Sequence, residues 1–378
     1  MTFTTASNPE LEAAILAAPD NVDAYLVYGD WLQAQDDPRG ELIALQHALR
    51  QARGAKLIPI KRKVAALQKK HQESFLGVGL TSMVNHYALV LSWHLGFIHF
   101  ARVTSPADES DADFDVVETL TMLLRHPSGR FIRDLALGIP DRDGDADYAG
   151  LVKVLTKQAP ETLKGLFIGD FVYPDESELS WVRLGNLEPL LKALPQLTEL
   201  RLRGAEVRLG TLALPELQRF TIESAGLPRA AMQFITAASW PKLESLELWF
   251  GSEYQGGRVR VSDLQPLLEA TRLPTLKHLG LCNAAFSDKL APLMAKSKVL
   301  KQLETLDLSK GTLGDADAEV LAANASAFKH LKKLDVTRNQ LTSKGIKLLS
   351  KLCRDVATGN QREAYDDGEG GRYVAVGE

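Results

Sequence analysis

The stretch Leu331-Lys-Lys-Leu-Asp-Val-Thr-Arg-Asn-Gln-Leu341 decides the fold of this chain. Apolar residues stand at its first, fourth, sixth and eleventh positions, and an asparagine stands at its ninth. The alternating Leu-Asp-Val part is typical of a short β-strand with one buried face. An asparagine at the turn after a strand can hydrogen-bond backbone groups that lack a partner. The stretch therefore predicts a strand and a tight turn, with Asn339 bonded to backbone groups of the next coil.

Earlier segments repeat the first six positions of this pattern, and they begin at Ile132, Leu163, Leu197, Leu217, Leu243, Leu276 and Leu303. One such unit cannot bury its apolar face alone, whereas stacked units form a continuous core. Leu279, Leu306 and Leu334 lie 27 and 28 residues apart, with helical patterns at 317–325 and 343–352 between and after them. This spacing resembles the leucine-rich repeats of the ribonuclease-inhibitor type. The resemblance implies an α/β solenoid, in which a curved parallel sheet carries outer helices.

The repeats are uneven in length. Leu200 and Phe220 are only 20 residues apart, which leaves no room for a helix between two strands. Leu246 and Leu279 are 33 residues apart, and the glycine-rich segment 251–257 predicts a loop there. Ser343 is the expected N-cap of the last helix, because a serine hydroxyl can accept from the first free backbone amides.

Composition indicates an ordinary globular protein. The 378 residues are 45% hydrophobic and 24% charged, with a net charge of −4, so no basic excess favours a nucleic-acid partner. The first residues lack the charged and apolar regions of a secretory signal, and the most apolar run, at 87–103, is too short to span a membrane. The only cysteines, Cys282 and Cys353, suit a reducing compartment. We therefore expect a cytoplasmic chain with no membrane contact.

The N-terminal residues differ in character from the repeats and predict three helices, at 10–18, 23–32 and 39–49. Tyr25, Tyr28 and Leu32 should share one face of the second helix. Asp36 and Asp37 precede the third helix, where negative charge favours a helix N-terminus.

This segment resembles a known module. The strings Ile15-Leu-Ala-Ala-Pro-Asp-Asn, Tyr28-Gly-Asp-Trp-Leu32 and Asp37-Pro-Arg-Gly-Glu-Leu-Ile-Ala-Leu-Gln46 are similar to the repeat-companion domain of planctomycete and myxobacterial proteins. Residues 93–103 resemble the strand that begins the repeat array in such proteins. The resemblance implies a helical module at 1–80, a solenoid at 81–352 and a C-terminal cap or tail at 353–378. It implies no activity.

Charge is segregated between the module and the repeats. Residues 50–70 contain eight basic side chains and no acid, and their apolar residues recur at three- and four-residue spacing. This pattern predicts an amphipathic helix with a lysine-rich face. Such a face could bind an anion, RNA or a membrane, but basic residues without interleaved aromatics favour a solvated surface.

Few residues suggest catalysis. The string Asp141-Arg-Asp-Gly-Asp-Ala-Asp147 places carboxylates at alternate positions around a glycine, as a calcium loop does, but its twelfth position is Val152 instead of a glutamate. The alternative is an acidic turn that caps a helix beginning near Asp147. Asp307 and Asp335 should be neighbours on the sheet and could form an acid–base pair, although exposed structural acids are the simpler interpretation. We expect no cofactor, no metal and no enzymatic activity. The alternatives are a hydrolase or metal-dependent enzyme that uses the acidic loop near Asp141, or a purely structural spacer.

Variable strand residues of such an array face solvent on the concave side of the sheet. The predicted partner-binding residues there are Phe167, Arg201, Arg203, Arg219, Glu247, Trp249, Asp307 and Asp335. Aromatic residues and arginines often dominate the binding energy of interfaces. The sequence therefore predicts a monomer that binds a protein partner on this face. Trp249 could alternatively pack against the loop that carries Tyr254.

The final residues include the apolar string Arg372-Tyr-Val-Ala-Val376. Open repeat arrays need capped ends. We expect Tyr373, Val374 and Val376 to pair as a last edge strand, with a turn at 366–371. The alternative is a disordered tail.

Overall fold

The computed structural model describes residues 6–106, 115–142, 146–269, 271–363 and 373–377. Its helices are α1 (Pro9–Ala17), α2 (Val22–Ala34), α3 (Pro38–Gln51), α4 (Leu57–Lys70), α5 (Gln72–Asn85), α6 (Val116–Arg125), α7 (Ala149–Gln158), α8 (Glu188–Ala193), α9 (Arg229–Ala237), α10 (Gln265–Leu268), α11 (Ser287–Lys296), α12 (Asp315–Ala323) and α13 (Ser343–Leu349). Its strands are β1 (Leu89–His94), β2 (Phe97–Val103), β3 (Asp134–Leu137), β4 (Ala146–Asp147), β5 (Gly165–Ile168), β6 (Val182–Arg183), β7 (Glu199–Arg203), β8 (Arg219–Glu223), β9 (Ser245–Gly251), β10 (His278–Ala284), β11 (Thr305–Asp307), β12 (Lys333–Asp335) and β13 (Val356–Ala357).

The chain divides into two compact units. Unit 1 contains residues 1–144 and 153–166, and unit 2 contains residues 145–152 and 167–378. The division falls inside α7 and β5. The boundaries at residues 80 and 352 that the sequence suggests stay predictions.

The three N-terminal helices of unit 1 form where the sequence predicts them. Tyr25, Tyr28 and Leu32 are buried on one face of α2 and pack with Ile15 and Ile43 in a single cluster. Each helix begins at a side-chain cap; Asp37, for example, accepts a 2.8 Å hydrogen bond from the Arg39 amide at the start of α3. The predicted acidic start of α3 is therefore confirmed as a cap.

The segment 93–103 is not one strand. β1 and β2 form an antiparallel hairpin, and β3 pairs with β2 in parallel. Leu95 and Gly96 make the turn with φ values of 44° and 83°, which cannot continue an extended strand. The sequence pattern missed this reversal because both residues of the turn are buried.

The repeats form a parallel sheet in unit 2. Strands β7 to β13 lie side by side in chain order, and each neighbouring pair is parallel. The central apolar residues align across this sheet as Leu200, Phe220, Leu246, Leu279, Leu306 and Leu334, each at most 1% exposed. No helix occurs at 204–218, between β7 and β8. Stacked repeat units with a shared core are thereby confirmed.

The last complete repeat shows how neighbouring coils are joined. Asn339 is fully buried, and its amide nitrogen donates to the carbonyls of Leu308 (2.9 Å) and Val336 (3.0 Å). Its side-chain oxygen accepts from the Leu313 amide at 3.1 Å. Asn339 therefore bonds to the preceding coil and its own coil, whereas the sequence pattern placed its partners in the next one.

The N-cap of helix α13 lies one residue before the predicted position. Thr342, and not Ser343, is the N-cap, because its hydroxyl accepts from the Lys344 amide at 3.2 Å. The same hydroxyl lies 2.6 Å from Asp315 Oδ2, which fixes it in place. Serine and threonine are both good caps, so the sequence alone could not choose between adjacent positions.

The predicted C-terminal edge strand is wrong. Val356 and Ala357 of β13 pair with β12 at the end of the sheet, whereas Tyr373, Val374 and Val376 form no strand. Val374 and Val376 are nevertheless buried, at 7% and 0% exposure. The turn expected at 366–371 lies outside the described residues.

Candidate functional site

The strand register places the predicted binding residues on one face of the sheet in unit 2. Arg201, Thr221, Glu247, Gly280, Asp307 and Asp335 stand at equivalent positions of consecutive strands. Their neighbours in sequence, such as Leu246 and Leu248, are buried, while Glu247 and Trp249 are partly exposed. We call this surface, the side of β7 to β12 that carries these six residues, the variable face.

The basic part of the variable face is partly neutralised within the chain. Arg201 Nε donates to Glu223 Oε1 at 2.8 Å, and Arg203 Nε donates to Glu223 Oε2 at 2.5 Å. The Glu223 side chain is only 5% exposed, against 40% for Arg201 and 15% for Arg203. One buried carboxylate therefore orders two arginines, and Arg201 keeps part of its surface for solvent.

Phe167 is covered by these same arginines. The guanidinium carbon of Arg201 lies 4.5 Å from the centre of the Phe167 ring, and that of Arg203 lies 5.4 Å away. Arg203 also donates to the carbonyl of Phe171. A cation above an aromatic ring contributes favourably in such an arrangement. Phe167 is therefore a platform for the arginines and is itself only partly exposed.

Arg219 forms a separate, more open pair. Its Nε donates to Glu199 Oε2 at 2.9 Å across β7 and β8. The side chains are 57% and 43% exposed. Exposed pairs contribute little to stability because water and salt screen them. This pair can therefore be exchanged for a charged group of a partner at small cost.

Glu247 connects the middle strands. Its Oε1 accepts from Trp249 Nε1 at 2.7 Å, and its Oε2 lies 3.9 Å from His278 Nε2. Although burial alone would raise the pKa of Glu247, hydrogen bonds from His278 and Trp249 hold that pKa below its ordinary value. His278 Nδ1 lies 2.7 Å from Thr305 Oγ1. Glu247 is thus a charged acceptor that fixes the orientation of Trp249.

Trp249 has a cation over its ring that the sequence did not indicate. Lys310 Nζ lies 4.7 Å from the ring centre and 2.9 Å from Ser309 Oγ. Lys310 stands after β11 with a φ of 66°, and the same left-handed conformation occurs at Asn283, near the end of β10, and at Arg338, after β12. Tyr254 is 94% exposed, so it does not cover Trp249. A repeat alignment extended beyond the strands could have located Lys310.

Asp307 and Asp335 are neighbours in register, as expected, and act locally. Asp307 accepts from the Ser309 amide at 2.7 Å, while Asp335 accepts from the Thr337 hydroxyl at 2.7 Å and lies 3.2 Å from Lys333. Burial would raise the pKa of Asp335, but the bonds from Thr337 and Lys333 keep it below its ordinary value. A general acid would need a raised pKa, so this pair favours structural roles.

Only part of the acidic string 141–147 lies within the described residues. Asp143 and Asp145 lie outside the described residues. Asp147 accepts a 2.7 Å hydrogen bond from the Ala149 amide, as a helix cap does. Within the part of the chain that the structure describes, no three histidine, cysteine or acidic side chains come together as a metal site would require. The interpretation of this string as a capping turn has direct geometric support.

The two cysteines are not activated. Burial raises the pKa of Cys282, which is fully buried on β10, well above its ordinary value. The pKa of Cys353 is also raised, chiefly by burial. The thiolate is the nucleophilic form, so neither residue has the environment of a catalytic cysteine.

The basic stretch before the repeats forms α4 with a sided surface. Val64 and Leu67 are buried, and Lys61, Arg62 and Lys63 are exposed. None of these three side chains forms an ion pair within the described ranges. The amphipathic helix is therefore present, and its charged face is solvated as the simpler interpretation expects.

Comparison with known proteins supports the repeat architecture. The family model described as a leucine-rich repeat matches residues 329–350, the repeat that contains Asn339. A crystal structure of a Bacteroides fragilis protein is 26% identical over 73% of this chain and 77% of its own, with a TM-score of 0.64. The chain is thus similar to leucine-rich-repeat proteins and has their α/β solenoid fold. Comparison with curated protein sequences finds no match.

Two other solved structures match this chain with lower similarity. Internalin C2 of Listeria monocytogenes is 15% identical over 65% of this chain and 84% of its own, with a TM-score of 0.31. Human 5T4, a trophoblast glycoprotein, is 16% identical over 73% of this chain and 92% of its own, with a TM-score of 0.30. These values are too low to carry a functional argument.

Separately, none of the described helices has the length and apolar character needed to cross a bilayer.

Proposed function

We propose that this chain is a non-catalytic binding module whose variable face holds a protein partner. The observation that carries the proposal is the arrangement of Trp249, a large aromatic residue that is partly exposed on the variable face. Glu247 fixes its indole nitrogen and Lys310 lies over its ring. A pre-oriented aromatic residue loses little conformational freedom on binding, which favours it as an interface anchor.

The charges around Trp249 define what the partner should offer. Arg201 and Arg219 retain exposed guanidinium surface on one side, while Asp307, Asp335 and Glu247 lie on the other. A complementary partner carries acidic groups opposite β7 and β8 and basic groups opposite β11 and β12. Such complementarity sets orientation and association rate more than affinity.

The finer assignments belong to the same proposal. The helices of residues 1–80 serve as a repeat-companion domain of the bacterial type, followed by repeats of the ribonuclease-inhibitor type and a C-terminal segment from 353. The chain acts as a cytoplasmic monomer, binds no nucleic acid or membrane, and needs no cofactor. These assignments rest on the sequence motifs and on the near-neutral charge balance.

A capture experiment tests the binding site. The tagged chain and its Trp249→Ala variant are used as baits in a lysate of the source organism, with Tyr254→Ala as a matched control. Tyr254 is also aromatic, but it lies in a loop and is 94% exposed. A protein held by wild type and by Tyr254→Ala, and lost with Trp249→Ala, supports the proposal. A protein held equally by all three baits places the binding surface elsewhere.

A further inference from the structure

The C-terminal segment Tyr373–Gly377 contacts residues at the C-terminal ends of three consecutive strands, β12, β11 and β10. We call these strand ends the exits of the repeats. Gln340 Nε2 donates to the carbonyl of Tyr373 at 3.3 Å, after β12. The Ala375 amide donates to the carbonyl of Lys310 at 2.8 Å, after β11. Val376 contacts Asn283, the penultimate residue of β10. The segment therefore crosses the strands in reverse chain order.

Asn283 forms hydrogen bonds with both backbone groups of Val376. Its Nδ2 donates to the carbonyl of Val376 at 2.6 Å, and its Oδ1 accepts from the Val376 amide at 3.0 Å. Both residues are 0% exposed. A side-chain amide that bonds to both the N–H and the C=O of one residue contacts backbone atoms only, so these two bonds do not depend on that residue's side chain. Asn283 would therefore form the same two hydrogen bonds with any extended chain whose side chains fit the space that Val376 occupies.

The spacing of the contacts suits an extended peptide. Three residue steps from Tyr373 to Val376 span about 10 Å at roughly 3.3 Å per residue. Two steps between parallel strands, from β12 to β10, span about 9.6 Å at roughly 4.8 Å each. The periodic turns of the repeats thus present polar groups at intervals that a peptide backbone can follow. Val374 and Val376 supply the buried side chains.

The array does not need this segment to close its end. β13 already covers β12, and the residues that follow β13 bond to the last coils. Gln361 Nε2 donates to the Val336 carbonyl at 2.9 Å, and Arg362 Nε donates to the Arg338 carbonyl at 2.9 Å. The contacts of Tyr373–Gly377 are therefore additional to the capping of the repeats.

A cavity of about 180 Å³ is present on the side of the earlier repeats. It lies between the exits of β9 and β10 and is lined by Phe250, Gly251, Ala285 and Phe286, among others. Phe250 and Phe286 pack with their ring centres 5.1 Å apart. Asn283, which holds Val376, is two residues before Ala285. The cavity could therefore accept an apolar side chain placed just beyond the position of Val376.

We propose that the exits of β9 to β12 form a second binding site, which takes an extended peptide from a partner protein. The peptide carries two small apolar residues in a Val-x-Val arrangement, followed by an apolar residue for the Phe250–Phe286 cavity. The chain's own segment Tyr373–Gly377 occupies this site in the unbound protein. This site is distinct from the variable face, and neither proposal depends on the other.

The chain's own segment Tyr373–Gly377 competes with the partner peptide for the same site. Because the segment is covalently attached to the chain, its local concentration at the site is on the order of millimolar, and a free peptide must compete against that concentration. A peptide with an intrinsic Kd of about 100 μM would then bind the intact protein roughly tenfold more weakly. Displacing the segment from the site should therefore tighten peptide binding by roughly tenfold.

The test uses the full chain with the substitution Val376→Asp, which places a charge in a dry slot and releases the segment. A fluorescein-labelled peptide, Gly-Arg-Tyr-Val-Ala-Val-Gly-Leu, is titrated into wild type and variant while fluorescence anisotropy is measured. We expect at least tenfold tighter binding to the variant. Adding Asn283→Ala to the variant, or replacing the second peptide valine by aspartate, should abolish binding.

Ala375→Pro provides an independent release, because proline removes the amide that donates to Lys310. Equal anisotropy titrations for wild type, Val376→Asp and the Asn283→Ala double variant would overturn the proposal. So would a folded Val376→Asp or Ala375→Pro chain that binds no peptide. If both release variants lose cooperative thermal unfolding, the segment is an integral part of the fold and the proposal fails.

Discussion

Lys310 Nζ lies 4.7 Å from the centre of the Trp249 ring, although the two residues are 61 positions apart in sequence. Lys310 belongs to the turn after β11, whereas Trp249 stands near the end of β9. The carbonyl of the same lysine accepts from Ala375. Lys310 therefore contacts both the variable face and the C-terminal segment, while the two proposed sites use different atoms of it.

Removing Glu223 should destabilise unit 2. The Glu223→Ala change leaves Arg201 and Arg203 without their shared carboxylate, and the loss of one member of a buried pair is costly. We expect the free energy of unfolding to fall by about 2–3 kcal/mol, at the lower end because Arg201 is partly solvated. Urea denaturation measures the change. The matched variant Glu199→Ala, which breaks an exposed pair, should lose less than about 1 kcal/mol; equal losses would contradict this account.

Arg39 should be a structural residue of unit 1. It is 2% exposed, donates to the Gly96 carbonyl at 2.6 Å and to Ser128 Oγ at 2.8 Å, and lies 5.0 Å from the Phe97 ring centre. Arg39→Ala would leave a buried carbonyl unpaired and open a cavity, at a cost of about 3–4 kcal/mol. The control Lys63→Ala changes an exposed cation on α4. A loss for Arg39→Ala no larger than that of the control, by thermal denaturation, would refute the assignment.

Gly40 allows α2 and α3 to approach closely. A Cβ at this position would lie 2.5 Å from the Gly29 carbonyl oxygen and 2.7 Å from the Gln33 amide nitrogen, both backbone atoms. Gly40→Ala should therefore push the helices apart and cost about 1–3 kcal/mol, despite alanine's better helix propensity. Gly359→Ala is the control, because a Cβ there meets nothing within 4 Å. A melting temperature unchanged by Gly40→Ala would show that the helix pair can relax.

His126 should make the protein sensitive to acid. Burial, with the charges of Arg39 and Arg130, lowers its pKa from 6.5 to about 4. Its Nδ1 accepts from the Ser128 amide at 3.1 Å, which requires an unprotonated nitrogen. Between these pH values the unfolded chain binds more protons than the folded chain. The free energy of unfolding therefore falls as the pH falls from about 6.5 to 4.

The variant His126→Asn tests this dependence, because an amide oxygen can accept the same hydrogen bond and does not titrate. Over that pH range, urea denaturation should show a loss of stability smaller than that of wild type by about 2 kcal/mol. His86→Asn replaces an exposed histidine and should follow the wild-type curve. Parallel curves for wild type and His126→Asn would contradict the assignment.

The repeat pattern predicted the sheet because its leucines mark equivalent positions in successive strands. Residues such as Leu279, Leu306 and Leu334 recur at fixed spacing, and the core can form in only one register. The same alignment also contained the pairing of Arg203 with Glu223, since matching Leu200 to Phe220 places them opposite each other. This pairing leaves the arginine cluster partly neutralised.

Other features of the structure do not follow the repeat pattern of the sequence. The position of Lys310 over Trp249 depends on a left-handed turn conformation that many residue types can adopt. The seating of Val376 against Asn283 joins residues 93 positions apart and follows no repeat. The Leu95–Gly96 turn is buried, so hydropathy continued through it as though one strand were present. Contacts of this kind are set by tertiary packing and could not be predicted from a linear pattern.

The dissociation constant of the captured partner, measured for wild type, Trp249→Ala and Tyr254→Ala, tests the central claim most directly. We expect Trp249→Ala to weaken binding at least tenfold, about 1.4 kcal/mol, as the loss of an interface anchor does. Tyr254→Ala should bind like wild type. Equal affinities for wild type and a folded Trp249→Ala variant would contradict the proposal that the partner binds on the variable face.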